Sequence, residues 1–306
     1  LDAPGLLAIL AARCLLMPFL RRPSYCLSFF TLGPWFFAMP EGYPPTPAET
    51  LPGVLERDGV RLHYEVTGAG GRTPLLLTHG YGSSAAMWAP NLPALTRDRA
   101  AITWDMRGHG SSDAPDDAAR YTHEACLGDM AALLDAVGAA RAVLCGMSLG
   151  GFLSLRFCLR WPERVTGLVL VDTGPGFRDP AARERWNGWA RVQADELDAR
   201  GVKALPQGRE QRQAHHVHGA RGIAHAARGM LVQEDSAVLD SLGEVAVPTL
   251  VVVGSEDTRF LAAAEVMERR IAGARRVVLP RAGHAANMDA PDQFNAAVSD
   301  FLEDLP

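Results

Sequence analysis

Val143-Leu144-Cys145-Gly146-Met147-Ser148-Leu149-Gly150-Gly151 is the stretch that decides the fold. An apolar run halts at Gly-x-Ser-x-Gly and resumes as Phe152-Leu153-Ser154-Leu155-Arg156-Phe157, which has helical spacing. A strand that turns sharply into a helix with a serine at the apex is the sequence form of a nucleophile elbow. The apex residue must take a strained backbone conformation, and the glycines let strand and helix approach without a Cβ in the way. Five-residue matches of this kind arise by chance, so the weight lies in the flanks.

Working outward, short apolar runs at 75–78, 101–104, 141–145, 165–171, 249–253 and 276–279 alternate with helical patterns. Such alternation predicts an α/β fold with a mostly parallel sheet covered by helices on both faces. Ahead of it, runs at 53–57 and 60–66 flank Asp58-Gly59, the signal of a tight hairpin. A helix is expected over 122–137, capped by Thr122 and stopped at Gly138. The last helix should start at Pro291, with Phe294, Ala297, Val298, Phe301 and Leu302 on its inner face. About 75 residues without a strand pattern follow Asp172, too long for a plain connection. Trp186, Trp189, Val192 and Leu197, then Ile223, Ala227, Met230 and Leu231, suggest amphipathic helices forming a lid. The expected organisation is an N-terminal extension and linker (1–52), a core in two parts (53–172 and 248–306), and a helical lid (173–247) inserted after the sixth strand.

A serine hydroxyl needs a base to take its proton and an acid to orient that base. Behind such an elbow the expected chain order is Ser, then Asp or Glu, then His. Asp257 follows the run at 249–253, and His284 follows the run at 276–279. Both stand at the carboxyl ends of strands, where ligands meet parallel sheets. Glu256 and Asp172 are alternative acids. His79-Gly80-Tyr81-Gly82 after the run at 75–78 reads as an oxyanion loop, with the amides of Tyr81 and Leu149 as donors. His79, Arg107 and His109 read as loop braces rather than second bases. Trp88, Phe152, Trp186 and Phe260 are the candidate substrate-binding residues, with Phe177, Trp189 and Met230 as further pocket or core positions.

From about residue 53 onward the chain resembles the α/β-hydrolase superfamily. The elbow, His79-Gly80, Asp105-Met106-Arg107-Gly108-His109-Gly110-Ser111-Ser112 and Trp161-Pro162-Glu163-Arg164-Val165 carry the likeness. Gly146-Met147-Ser148-Leu149-Gly150-Gly151 and Gly283-His284-Ala285-Ala286-Asn287 are similar to 3-oxoadipate enol-lactonases and cofactor-free haloperoxidase-type esterases. The resemblance implies a serine hydrolase of a small carboxylic ester or lactone that needs no metal or organic cofactor. A meta-cleavage carbon–carbon hydrolase or perhydrolase on the same triad is the alternative, as is a receptor-like homologue that binds a ligand. Epoxide hydrolases and haloalkane dehalogenases use Asp at the elbow, so Ser148 disfavours those activities.

Composition narrows the partners. A net charge of -5 without a basic tract argues against nucleic acid. Five scattered cysteines without a Cys-x-x-Cys pair read as reduced thiols of a cytoplasmic protein. His215, His216, His218 and His225 could suggest a metal, but adjacent histidines diverge on a helix and no acidic ligands accompany them. The first 38 residues are apolar but broken by Arg13, Pro18, Arg21, Arg22, Pro23, Gly33 and Pro34. They are too interrupted for a spanning helix, and no basic segment precedes them. The expectation is an upstream extension from a misplaced start. Membrane anchorage or export follows only if the segment is genuine. Oligomeric state is left open by the sequence.

Overall fold

The computed structural model describes residues 49–305. The expectations for residues 1–38, and for Cys14 and Cys26, lie outside the described residues.

Eight strands form one sheet: β1 (Thr50–Arg57), β2 (Val60–Thr67), β3 (Leu75–Thr78), β4 (Ala101–Trp104), β5 (Ala142–Met147), β6 (Val165–Val171), β7 (Thr249–Gly254) and β8 (Arg275–Leu279). Their spatial order is β1-β2-β4-β3-β5-β6-β7-β8. The β1–β2 and β2–β4 pairs are antiparallel; every pair from β4 through β8 is parallel. The Asp58-Gly59 turn has φ values of 51° and 66°, which the two-residue hairpin requires. β1 begins at Thr50, inside the stretch 1–52 expected to be extension and linker. Pro52 is tolerated there because β1 is an edge strand with one side free of the ladder.

Alternation along the inner strands splits the core. Leu76, Ile102, Leu144, Leu168, Leu170, Val251 and Val253 face one layer, with buried side chains of helices His123–Ala136, Leu149–Arg160 and Leu261–Arg270. Leu75, Leu77, Val143, Cys145, Val169, Val171, Leu250 and Val252 face the other, with Phe294, Val298, Phe301 and Leu302 of helix Pro291–Glu303. Side-chain period 2 makes this division automatic. The Thr122 hydroxyl accepts from the Ala125 amide, and Gly138 takes φ 70°, so both expected ends of that helix hold.

Between β6 and β7 the chain is helical, chiefly Pro180–Arg200 and Arg221–Ala226. Ala190, Ala194 and Leu197 form the buried stripe of the longer helix. Val192, expected to face inward, is 55% exposed because it falls off that 3.6-residue stripe. Among the described residues no helix is long and apolar enough to cross a membrane.

Candidate active site

The sheet order reverses between β3 and β5, which lie side by side with Thr78 opposite Gly146. Such a switch point opens a crevice at the carboxyl edge. Ser148 sits there with φ 51° and ψ -114°. Its amide donates to the Val171 carbonyl (2.9 Å), and its carbonyl accepts from the Thr173 hydroxyl (2.6 Å). These bonds over-determine a conformation that costs a non-glycine residue on the order of 1–3 kcal/mol. A Cβ on Gly146 would come within 2.2 Å of the Gly150 carbonyl, and one on Gly150 within 2.3 Å of the Thr78 carbonyl. The glycines of the motif are therefore set by the close approach of β5, the following helix and β3.

The Ser148 hydroxyl donates to His284 Nε2 (3.1 Å), and His284 Nδ1 donates to Asp257 Oδ2 (2.8 Å). Asp257 and His284 follow β7 and β8, the second and third strands beyond β5 in the sheet. The carboxylate acceptor puts the proton on Nδ1 and leaves Nε2 as the lone-pair nitrogen facing serine. Phe260 stacks on the His284 ring at 5.1 Å between centroids and 16° between planes. Burial alone would depress the His284 pKa. The Asp257 hydrogen bond and charge, joined by Asp172 and Glu210, outweigh it and hold the pKa above the ordinary imidazole value.

The alternative acids fall elsewhere. Glu256 is exposed beside Asp257. Asp172 is buried behind the site, accepting from the Gly254 amide on Oδ1 and the Ala286 amide on Oδ2, each at 2.8 Å. It thus ties the Asp257 loop to the His284 loop. Burial pushes its pKa up to about 8, against the pull of His284 and the two amides.

The His79–Gly82 loop lies against the elbow: a Cβ on Gly80 would stand 2.6 Å from Met147 Sδ and 3.4 Å from Ser148 Cβ. Leu149 is the first residue of its helix, where amide groups lack an intrahelical acceptor. His79 Nε2 accepts from the Met106 amide (3.0 Å), and its Nδ1 donates to the Gly80 carbonyl (2.7 Å). Both nitrogens are occupied, and burial lowers the pKa to about 4. Arg107 makes a two-pronged contact with Asp129 (2.8 and 2.7 Å) and donates to the Arg120 carbonyl (2.7 Å). His109 Nδ1 donates to the Arg107 carbonyl (3.1 Å). All three are braces. His216 accepts from the Gly110 amide (3.0 Å) and donates to the Gly82 carbonyl (3.2 Å), joining the helical segment to the same loop. Among the described residues no group of three or more His, Cys, Asp or Glu is arranged to hold a metal ion.

A cavity of about 130 Å³ opens on Ser148 and Leu149. Phe152, Phe177, Trp186 and Phe260 line it. Trp88 does not. It is fully buried against Phe294 on the opposite face of the sheet, because the turn carrying it folds under β3 rather than over the edge. Met230 is core, its carbonyl taking the His123 Nε2 hydrogen bond (2.7 Å). Thr173, Gln233 and Arg259 also line the cavity and were not anticipated. Thr173 and Arg259 follow β6 and β7 at strand ends, so position alone could have flagged them. Gln233 lies in the helical segment and carries no such signal.

Residues 75–297 match the family described as "Alpha/beta hydrolase family". The 3-oxoadipate enol-lactonase 1 of Acinetobacter baylyi is 24% identical over 274 residues, covering 82% of this chain and 97% of that protein. The crystal structure of the enol-lactonase from Burkholderia xenovorans superposes with a TM-score of 0.68 at 27% identity, over 82% of this chain and 100% of that one. A thermophilic esterase from Thermogutta terrifontis gives 0.68 at 31% identity, over 84% and 98%. With sheet, elbow and family match in agreement, this chain belongs to the alpha/beta hydrolase family.

Proposed function

We propose that the protein hydrolyses a small carboxylic ester or lactone through an acyl-enzyme on Ser148. The observation that carries this reading is the unbroken hydrogen-bonded run Ser148–His284–Asp257 at the floor of the cavity. The likeness to an enol-lactonase and an esterase supports ester-type carbonyls over other electrophiles.

His284 Nε2 takes the Ser148 proton as Oγ bonds to the carbonyl carbon, and the π electrons move to oxygen. The amides of Tyr81 and Leu149 receive that oxyanion; losing one such donor costs about 10²–10³ in rate. Asp257 holds the Nδ1–H tautomer and stabilises the imidazolium. On collapse the carbon–oxygen bond to the leaving group breaks, and the leaving oxygen takes the proton from His284. Water then repeats the cycle on the acyl group, releasing the acid and restoring Ser148. Residues 173–247 serve as the lid that walls the acyl pocket, through Trp186, Leu231 and Gln233.

The test is turnover of 4-nitrophenyl butyrate by the purified protein and by Ser148→Ala. Turnover should be lost in the variant with its circular dichroism unchanged; a variant as fast as the parent overturns the reading.

A further inference from the structure

The loop that carries the Tyr81 amide is held from two sides. On the inner side, the Gly80 carbonyl accepts from His79 Nδ1 (2.7 Å) and from the Ser83 amide (3.2 Å). A trans peptide points its N–H opposite to its C=O, so these bonds aim the Tyr81 amide away from His79. On the outer side, the hold comes from residues 205–216 of the helical segment between β6 and β7. Gln211 Nε2 donates to the Tyr81 carbonyl (3.3 Å), and His216 Nε2 donates to the Gly82 carbonyl (3.2 Å). The Ser83 hydroxyl donates to the Glu210 carbonyl (3.3 Å). Leu205 closes on Gly82, where a Cβ would stand 2.7 Å from its Cδ2. Leu205, Glu210, Gln211 and His216 do not line the cavity over Ser148.

His216 also reaches the loop after β4, where its Nδ1 accepts from the Gly110 amide (3.0 Å). Asp105 joins the same two loops, accepting from the Ala85 and Ser111 amides (2.7 and 2.8 Å). A backbone amide can only donate and a carbonyl can only accept, so His216 must be neutral with its proton on Nε2. A second proton, on Nδ1, would face the Gly110 N–H and break that bond. The titratable groups facing the ring are Asp105, His79 and His109 from the core loops and His215 from its own segment; the His109 ring stands edge-on, 6.0 Å between centroids. Burial holds the His216 pKa below the ordinary imidazole value, against the Gly82 hydrogen bond and Asp105.

We propose that His216 is a positioning residue for the oxyanion donor on Tyr81, clasping Gly82 to Gly110 while its ring is neutral and opening at Gly110 when the ring takes a second proton. The role in catalysis rests on the ester-hydrolase reading; the clasp does not. With the clasp open, the loop keeps only its inner anchor and its bonds to Gln211 and Glu210, and the Tyr81 amide is displaced from the oxyanion rather than deleted.

The test compares the parent with two variants. His216→Phe keeps a ring but neither bond. His216→Gln has an amide that can accept from Gly110 and donate to Gly82, and it does not titrate. With 4-nitrophenyl butyrate at pH 7.5, His216→Phe should lose about ten-fold in kcat, short of the roughly 10²–10³ of a deleted donor, with KM within about two-fold. His216→Gln should recover most of that loss. From pH 7 to pH 5 the parent should lose kcat faster than His216→Gln, because only the parent can protonate the clasp. A parent-to-Gln ratio that stays flat over that range overturns the proton sensitivity, and this comparison decides alone if His216→Phe does not fold. Hydrogen–deuterium exchange gives a readout free of turnover. Peptides spanning 80–85 and 108–112 should exchange faster in His216→Phe than in the parent, and at the parent's rate in His216→Gln. Unchanged exchange in a folded His216→Phe overturns the clasp, and faster exchange with kcat unmoved overturns the positioning role. A parent that turns over no ester, with the exchange difference intact, would sink the hydrolase reading and leave the clasp.

Discussion

At the scale of single residues, the proposed mechanism makes the protonation state of His284 govern the chemistry. A protonated imidazole cannot take the serine proton, so kcat/KM for a neutral ester should rise with pH through one limb. Because Asp257, Asp172 and Glu210 raise the His284 pKa, that limb should lie above the ordinary imidazole value of about 6.5. Asp257→Asn removes the hydrogen-bonding carboxylate, so it should lower the limb and cut kcat by two orders of magnitude or more. A pH–rate profile of both proteins checks this; an unmoved limb would deny Asp257 its role. The hydrogen-bonded run Ser148–His284–Asp257 joins residues the sequence singles out because each follows a strand, in the chain order that the elbow demands. Trp88 was misread for a physical reason: an aromatic near a strand end can fold to either face of the sheet, and sequence does not say which.

At the scale of elements, Asp172 sets the spacing of two loops. It ends β6 with φ 44° and accepts one amide from the β7 end and one from the His284 loop. Asn at this position would turn an NH₂ donor towards one of those amides. Above about pH 8, where Asp172 is ionised, Asp172→Asn should therefore lose about 1–3 kcal/mol, the cost of a buried donor left unmatched, and slow turnover although Asp172 does not line the cavity. Glu256→Gln, at the exposed neighbour of Asp257, should change neither. Thermal denaturation and ester kinetics of the two variants decide it, and a neutral Asp172→Asn would contradict the brace. The strands and the capped helix at His123–Ala136 were readable from period and cap chemistry. The edge strand β1 was cut short because Pro52 reads as a breaker, and only its place at the sheet edge makes it acceptable.

At the scale of the whole molecule, three imidazoles are buried and a fourth, His216, is half-buried. Burial lowers the pKa of His79, His109, His123 and His216. The unfolded chain binds protons at these positions near pH 6.5, where the folded chain does not, so stability is lost as pH falls below that value. Asp172 and His284, whose folded pKa values are raised, act in the opposite sense and lose stability as pH rises. Four groups against two predict a urea midpoint that drops between pH 7 and pH 5. A flat or rising midpoint would contradict the count. The doubly covered sheet was open to sequence reasoning, since strands alternating with helices predict it; the β4-β3-β5 order comes from the structure alone. The 173–247 segment was legible only as helical, because its inner faces answer to a cavity and not to a regular layer.

The most direct test of the central claim is covalent trapping. Diethyl 4-nitrophenyl phosphate phosphorylates an activated serine and releases 4-nitrophenolate. Peptide mass spectrometry after stoichiometric treatment should find one diethylphosphoryl group, on Ser148, with none taken up by Ser148→Ala or His284→Ala. Phosphorylation at another residue, or none at all in a folded protein, would contradict the account.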